Sequence, residues 1–567
     1  MHDGEIITDK KEIATRFNNF FVNIGPSLAA KITGNIPDFN KYLPDANPNS
    51  IFLQPVTTDE ISKTTVSLKE GAAGWDDMNA KSVKCIINVI SDALCHICNL
   101  SLTEGVFPRE LKLTKVIPIY KSNDAMSFTN YRPISLLSIF SQILEKIMYK
   151  RLIAFINAND LLYKFQFGFR EKHSTYMPLI IILDKITEAL DNGNYVIGLF
   201  LDFRKAFDTV NHKILLEKLY HYGIRGPAYK WFVSYLTDRQ QYVYFEDSAS
   251  DSKPVTCGIP QGSVLGPLLF LIYINDLASV SQVLTAFLFA DDSNLFHIGT
   301  DIATMCETIN RELIKIVEWL RANRLSLNID KTNFMVFKPK FKTCDGVRIT
   351  IDNSLIQKVT HTKFLGVIID DKLSWSQHIS YIKNKIAKSL GIILKARKVF
   401  TRDTLLSLYN SLVYPYLCYC IHVWGSAYGV YLADLIILQK KIVRIICGVP
   451  PRTHSQPLFK ELKILNISDI YIYNIGLFMY KYINQMSPPI FDMFVLNSDI
   501  HSYGTRNSNM FHIPACPTNR SQKTLKYTGA KCWNSISSGI STNCKIGTFK
   551  KHLRSYILSN QISNETI

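Results

Sequence analysis

An α+β fold with a helical C-terminal extension is what this sequence predicts, on three observations. The chain has 567 residues, 47% of them hydrophobic and 12% aromatic. That composition is globular, and the length calls for roughly three or four structural units rather than one core. The middle third alternates short apolar runs with helical spacing, broken at Asp191-Asn192-Gly193-Asn194, at Gly258 and across 262–267. From Trp375 onward the spacing is helical.

Taken in order, residues 1–50 form an N-terminal extension. It holds one amphipathic helix, with Ile13, Phe17, Phe20, Phe21 and Ile24 on its apolar face, and a Pro/Asn-rich linker over 37–50. Thr57 and Glu60 stand at capping-box spacing and open a helix through Leu68. A Gly-rich loop over 71–76 leads to a second helix over 79–102, and 116–120 reads as a strand. The run 268–277 should be a buried helix. Beyond Trp375, residues Ile379, Ile382, Ile386, Leu390 and Ile393 make one apolar stripe. That helix also carries Lys383, Lys385, Lys388, Lys395, Arg397 and Lys398, with no acid between 376 and 400. Such a face is either simply solvated or lies along a phosphate backbone, and the missing acids favour the second.

Against 47 acidic residues stand 64 basic ones, a net +17 that favours a polyanionic partner. The twelve cysteines show no paired zinc spacing. Cys85, Cys95, His96 and Cys98, and likewise Cys418, Cys420 and His422, fall in apolar runs and read as buried core, as expected of a reducing compartment. The N-terminus is polar, and the most apolar run, 412–424, is broken by Pro415 and too short to cross a bilayer. The expectation is an intracellular protein of the cytoplasm or nucleus, not secreted and with no membrane partner.

The chemistry concentrates at Phe289-Ala290-Asp291-Asp292. An apolar strand runs into the two acids and a second apolar run, 295–298, follows, so the pair sits at a hairpin tip. Adjacent carboxylates there could be two surface acids of a solvated turn. They could also be hard oxygen ligands for Mg²⁺. With a third aspartate they could hold two ions about 3.5–4 Å apart for phosphoryl transfer. A third is available. The apolar run 198–201 ends in Asp202, a strand-end acid that needs a metal or a partner if buried. Between them, Gly258-Ile259-Pro260-Gln261-Gly262-Ser263 allows close backbone approach to a planar group.

These three segments resemble motifs A, B and C of reverse transcriptases, specifically those of non-LTR (LINE-type, jockey-like) retrotransposons. Four neighbours in order extend the resemblance: Asn130-Tyr131-Arg132-Pro133-Ile134-Ser135; Gln166-Phe167-Gly168-Phe169-Arg170 with His173-Ser174-Thr175; Trp319 with Asn323, Leu325 and Lys331-Thr332; and Phe364-Leu365-Gly366-Val367 to Trp375. The resemblance implies a right-hand polymerase fold of fingers, palm and thumb. Fingers and palm would occupy 51–375, with the motif core at 105–375, a helical thumb 376–449, and a basic extension 450–567. It implies RNA-directed DNA polymerase activity, with an RNA template, a DNA primer or target, and dNTPs. Asp202, Asp291, Asp292 and the Phe203 carbonyl would chelate two Mg²⁺, for which Mn²⁺ could substitute. Phe207 matches a steric gate against the ribose 2′-hydroxyl; without the motif it would read as core. Gln261 and Gly262 would lie by the incoming nucleotide, and Arg170 and Arg132 would grip its triphosphate. Lys331 is a candidate proton donor to pyrophosphate, or a surface lysine. Lys205 and Asp208 read as a structural pair or helix cap.

Met177-Pro178 departs from the small residue expected after His-Ser-Thr. Only about 50 residues precede the polymerase-like region, too few for the nuclease such elements carry, so an endonuclease supplied in trans is expected. The tail carries Lys523, Lys526, Lys531, Lys545, Lys550, Lys551, Arg554 and Tyr503-Gly504-Thr505-Arg506, without a zinc knuckle. It is read as a nucleic-acid-binding extension or a helical packing unit. Two rivals stand: a truncated, catalytically silent remnant that only binds nucleic acid, and an RNA-dependent RNA polymerase. Ala290 in the turn and Phe207 at the gate speak against the second.

Overall fold

The computed structural model describes residues 7–34, 36–500 and 507–560; the 503–506 segment lies outside them. The site rests on a sheet of five strands in the order Gln357–Lys358, Asn333–Phe337, Tyr195–Leu201, Asp292–Gly299, Thr285–Phe289. The Tyr195–Leu201 strand is buried along its whole length, as its unbroken apolar sequence requires of a strand covered on both faces. Its side chains divide by the period of two. Ile197, Leu199 and Leu201 face one core, with helices Gly266–Ile274 and Ile302–Ala322; Val196 and Phe200 face the other, with helix Tyr176–Asp191.

On the first side a buried ion pair ties three segments together. Lys218 Nζ lies 2.6 Å from Asp276 Oδ1 with both side chains wholly inaccessible. Lys218 also donates to the Tyr273 carbonyl, and Trp319 Nε1 donates to Asp276 Oδ2 at 3.1 Å. Burial lowers the lysine pKa while Asp276 raises it. The Tyr273 carbonyl and the Trp319 indole add to the pair the further hydrogen bonds that a buried ion pair needs.

A second sheet has Leu113–Tyr120 at its centre, antiparallel to Tyr131–Leu136 and parallel to Gln240–Phe245. The N-terminal helix, Lys10–Ala30, lies across it with Phe17 against Phe128, Tyr131 and Phe245. Phe17, Phe21 and Ile24 are buried as their spacing predicts. Thr57 caps the helix Thr58–Val66 by accepting from the Glu60 amide. That helix packs on Ala80–Glu104.

Helix Ala80–Glu104 is long and apolar enough to cross a bilayer by length and composition, with a mean hydropathy of 1.5, a test that buried core helices also pass. In the fold it packs sideways on the helices Thr58–Val66 and Gly226–Leu236, burying Val83, Ile87, Cys98 and Leu102 while Ile86, Val89, Ile97 and Leu100 stay exposed.

Helices Ser376–Ala396, Arg402–Leu412, Gly429–Cys447, Ile467–Ile483, Leu525–Ile536 and Ile546–Asn560 build the C-terminal part. Their apolar side chains join one core with the outer face of the five-stranded sheet, crossing position 450 without a break.

Candidate active site

Phe289 pairs with Asp292, so Ala290 and Asp291 form a two-residue hairpin turn. Ala290 adopts φ +55°, a left-handed conformation that costs a residue with a Cβ about 1 kcal/mol or more and persists only where its surroundings enforce it. The enforcement comes from Gln166, whose buried Oε1 accepts from the amides of Ala290 at 3.1 Å and Gly168 at 2.9 Å. The chain either side of Gln166 bonds to the edge of the hairpin: Phe167 N–H donates to the Leu288 carbonyl, and Leu288 N–H to that of Phe165. At Gly168 an added Cβ would stand 2.3 Å from the Ala290 nitrogen, so only glycine allows this approach. Gln166-Phe167-Gly168 is therefore a brace for the aspartate turn. The sequence offered the segment but not this role.

Asp202 follows directly on the Tyr195–Leu201 strand. Leu201 pairs with Ser293 and Phe200 with Asn333. Continuing both registers carries Asp202 toward Asp292 on one side and Lys331 on the other. The backbone is pinned there, since the Asp202 carbonyl accepts from Asn328 N–H at 2.7 Å and Phe203 bridges to Leu327. Burial raises the Asp291 pKa, and the Asp202 charge adds to the rise while Arg132 and Lys121 oppose it. Asp292 is pushed up to about 6 by burial, then by Asp291 and Asp202. The three carboxylates thus feel one another's charge.

They do not form a ready cage: among the described residues, no three His, Cys, Asp or Glu side chains are drawn close enough to hold a metal ion. The expected set of Asp202, Asp291, Asp292 and the Phe203 carbonyl is present as neighbours but not as a closed ligand shell. By donor type, hard oxygens under mutual repulsion, the set fits a divalent cation.

Four cations share this field. Lys121, just past the strand Leu113–Tyr120, has its pKa lowered by burial and by Arg132 and Lys331, while Asp202 and Asp291 raise it. Lys205 is lowered by burial, and also feels Lys121, Arg132 and Lys331; Asp208 raises it. Arg132 sits opposite Ile119 on the neighbouring strand. Lys121 carries no signal in the sequence; in the fold its amide donates to the Asn130 carbonyl at the mouth of the Arg132 hairpin.

Phe207 stacks on Phe270 (centroids 4.4 Å apart, planes 22°) and meets Phe169 edge-on at 6.3 Å. Gln261 Nε2 donates to Asp208 Oδ1 at 2.7 Å. The Asp208 carboxyl is raised by burial against the lowering effects of Gln261 and Lys205, and its Oδ2 has no hydrogen-bond partner. Gly262, at φ +125°, passes so near the Ser135 carbonyl that a Cβ would lie 2.6 Å from it. Behind this loop the wholly buried Glu145 accepts from the amides of Val264 at 2.7 Å and Leu265 at 3.3 Å. Glu145 is a positioning residue for the Gln261 loop that no sequence pattern disclosed.

Arg170 is placed otherwise than expected. Its guanidinium donates to the carbonyls of Tyr163 and Gln166, and the acid that bears on it is Asp160. It secures the brace rather than joining the cations around Asp202. A guanidinium next to a tight turn finds backbone carbonyls in need of a donor close at hand.

On helix Ser376–Ala396 the stripe of Ile379, Ile382, Ile386 and Ile393 is buried. Lys383 pairs with Asp434 at 2.7 Å, Lys385 lies by the Tyr381 ring, and Arg397 reaches the Gly448 carbonyl. Lys388, Lys395 and Lys398 are exposed.

Residues 119–369 match the family described as reverse transcriptase (RNA-dependent DNA polymerase). The chain is 28% identical over 442 residues to the RNA-directed DNA polymerase from mobile element jockey of Drosophila melanogaster, covering 76% of this chain and 48% of that protein. The corresponding Drosophila funebris protein is 30% identical over 430 residues, 73% of this chain and 46% of its own length. The probable RNA-directed DNA polymerase from transposon X-element of Drosophila melanogaster is 30% identical over 372 residues, 64% of this chain and 40% of that protein. The chain spans about half the length of the first two. With Asp202 and the Asp291-Asp292 turn brought together on one sheet, residues 119–369 read as a reverse transcriptase domain similar to those of jockey-like mobile elements.

Proposed function

We propose that this chain is an RNA-directed DNA polymerase that extends a DNA primer on an RNA template with dNTPs. In this reading the five-stranded sheet is the palm, the Leu113–Tyr120 sheet belongs to the fingers, and the helices from Ser376 form the thumb. The observation that carries the reading is the register that brings Asp202 to the Asp291-Asp292 turn beneath Lys121, Arg132, Lys205 and Lys331.

Asp202, Asp291, Asp292 and the Phe203 carbonyl would hold the divalent cations. When bound, two such ions lower the pKa of the primer hydroxyl and neutralise charge on the leaving pyrophosphate. Lys121 and Arg132, on the hairpin facing the carboxylates, would bind the triphosphate oxygens and orient them. Lys331, which the continued register brings beside Asp202, would hold a proton for the departing oxygen. Phe207, fixed by its stack on Phe270, would turn its ring edge to the sugar and exclude a 2′-hydroxyl. Gln261 would exchange its bond to Asp208 for the nucleotide. Lys388 and Lys395 on helix Ser376–Ala396, with Lys398 in the turn after it, would follow the hybrid backbone.

Primer extension by the purified full chain on an RNA template, with dNTPs beside NTPs and an Asp291→Ala variant alongside, tests this directly. Incorporation of dNTPs that falls at least about 10²-fold in the variant is expected. A chain that binds the hybrid but never extends it is the silent remnant, and incorporation that survives Asp291→Ala removes the site assignment.

A further inference from the structure

The N-terminal helix, Lys10–Ala30, packs on the second sheet and also on the short helix Ala206–Thr209, which carries Phe207 and Asp208. Gly25 makes the close contact there. An added Cβ at that position would stand 2.6 Å from the Asp208 carbonyl oxygen and closer still to Cys257 Sγ. Glycine inside a helix is unfavourable relative to alanine, and the near approach of these two segments is what requires it here.

The two segments that Gly25 meets are tied to each other. Ile259 N–H donates to the Phe207 carbonyl at 2.9 Å, and Gly258 N–H to the Val210 carbonyl at 2.8 Å. With the Gln261–Asp208 bond added, Phe207 and Gln261 stand on one unit whose back rests on Gly25. The helix itself is anchored elsewhere. Asn18, wholly buried, donates from Nδ2 to the Asp251 carbonyl at 2.9 Å and to Ser250 Oγ at 3.1 Å, and its Oδ1 accepts from Gln241 Nε2 at 3.1 Å. Between Phe21 and Val22 of the helix and the Gln261 loop a void of about 50 Å³ remains. Close packing therefore does not set the distance between helix and loop; the Gly25 contact does. Asp202, at the end of its strand, is pinned separately by the Asn328 amide.

On the reading of Phe207 and Gln261 as neighbours of the incoming nucleotide, we propose that the N-terminal helix is a positioning element of the nucleotide pocket. Gly25 is the positioning residue: it sets where Phe207 and Gln261 stand. A methyl group at Gly25 must push their unit off the helix, while Asp202 keeps its own anchor.

Single-nucleotide extension by the purified full chain on a primed RNA template, over a range of dNTP and NTP concentrations, tests this with Gly25→Ala. The KM for dNTP should rise about 10-fold or more and discrimination against NTPs should relax, with kcat within about 2-fold and hybrid binding as in the wild type. Phe20→Ala loosens the same helix at Phe128 instead and should leave KM and discrimination where they are. Should Gly25→Ala not fold, Gly25→Ala/Cys257→Ala takes its place beside Cys257→Ala alone, because the clash with the Asp208 carbonyl persists when the sulfur is gone. A wild-type chain that adds no dNTP overturns the polymerase reading and the proposal with it. A wild type that extends, with KM and discrimination unmoved in the folded Gly25 variant, moved equally by Phe20→Ala, or replaced by a loss in kcat alone, overturns only the proposal.

Discussion

Asp292 bears the electrostatic load of the aspartate site, and its substitution has two opposite effects. Its folded-state pKa, about 6, lies above the ordinary 3.8. An acid raised in this way binds its proton more tightly when folded. Its ionised form therefore weakens the fold above pH 6, and the penalty is relieved as pH falls through 6 toward 3.8. Asp292→Asn should accordingly raise the melting temperature at pH 7.5 in chelator by about 1–3 °C, a modest gain because the side chain is accessible and screened. The gain should vanish near pH 4, while primer extension falls; differential scanning calorimetry at the two pH values checks the sign. At the gate, Phe207→Ala opens the space beside Phe169 and Phe270. Competition between dNTP and NTP in single-turnover extension should show discrimination relaxed by about 10–200-fold, the range for one pocket contact. Unchanged discrimination would leave Phe207 as a core side chain only.

At the scale of elements, the aspartate hairpin is held from outside itself. Gln166 holds the strained Ala290 amide, and Gly168 lets the two backbones meet. Gly168→Ala puts a methyl group where the Ala290 nitrogen stands, so the turn must shift by several tenths of an ångström or more. Misplacement of reacting groups on that scale costs up to about 10²-fold in rate. The expected result is kcat for dNTP addition down by 10-fold or more with hybrid binding unchanged, read from pre-steady-state extension; an unaffected kcat removes the brace from the mechanism. Much of the hairpin was legible beforehand, because an apolar run that ends in acids has few other placements. Asp202 was legible for the same reason. The supports were not: Gln166 and Glu145 act through contacts that only the tertiary register creates, and a single buried polar residue leaves no period in the sequence; Lys121 is one exposed lysine among many until the fold brings it to the aspartates. Arg170 shows the converse, a motif arginine whose hydrogen bonds go to nearby backbone carbonyls.

Across the whole molecule, the helices beyond 450 are built into the same core as those before it. Gln439 Nε2 donates both to the Tyr409 hydroxyl and to the Leu465 carbonyl. Buried His422 stacks on Tyr176 at 4.4 Å and meets Phe478 edge-on. Gly425 fits against Tyr471 so closely that a Cβ would lie 2.3 Å from its ring. The sequence suggested a boundary at 450 because the basic clusters and polar stretches of the tail look like an appendage, whereas the apolar residues that anchor it are spread over three helices. Ending the chain at 449 removes Phe478, Tyr471 and the Leu465 carbonyl together. That exposes Trp424, Ile421 and Leu435, side chains now almost wholly buried, and uncovering each large apolar group costs about 1.5–3 kcal/mol. The summed loss is comparable to the whole stability of an ordinary domain. The 1–449 chain should therefore be aggregation-prone and should lose cooperative unfolding in its helical part, while the full chain unfolds that part together with the sheet. Limited proteolysis with thermal unfolding distinguishes the outcomes: early cleavage within 376–449 of the shortened chain is expected, and a resistant, cooperatively melting 1–449 fragment would show that the tail is a separate unit after all.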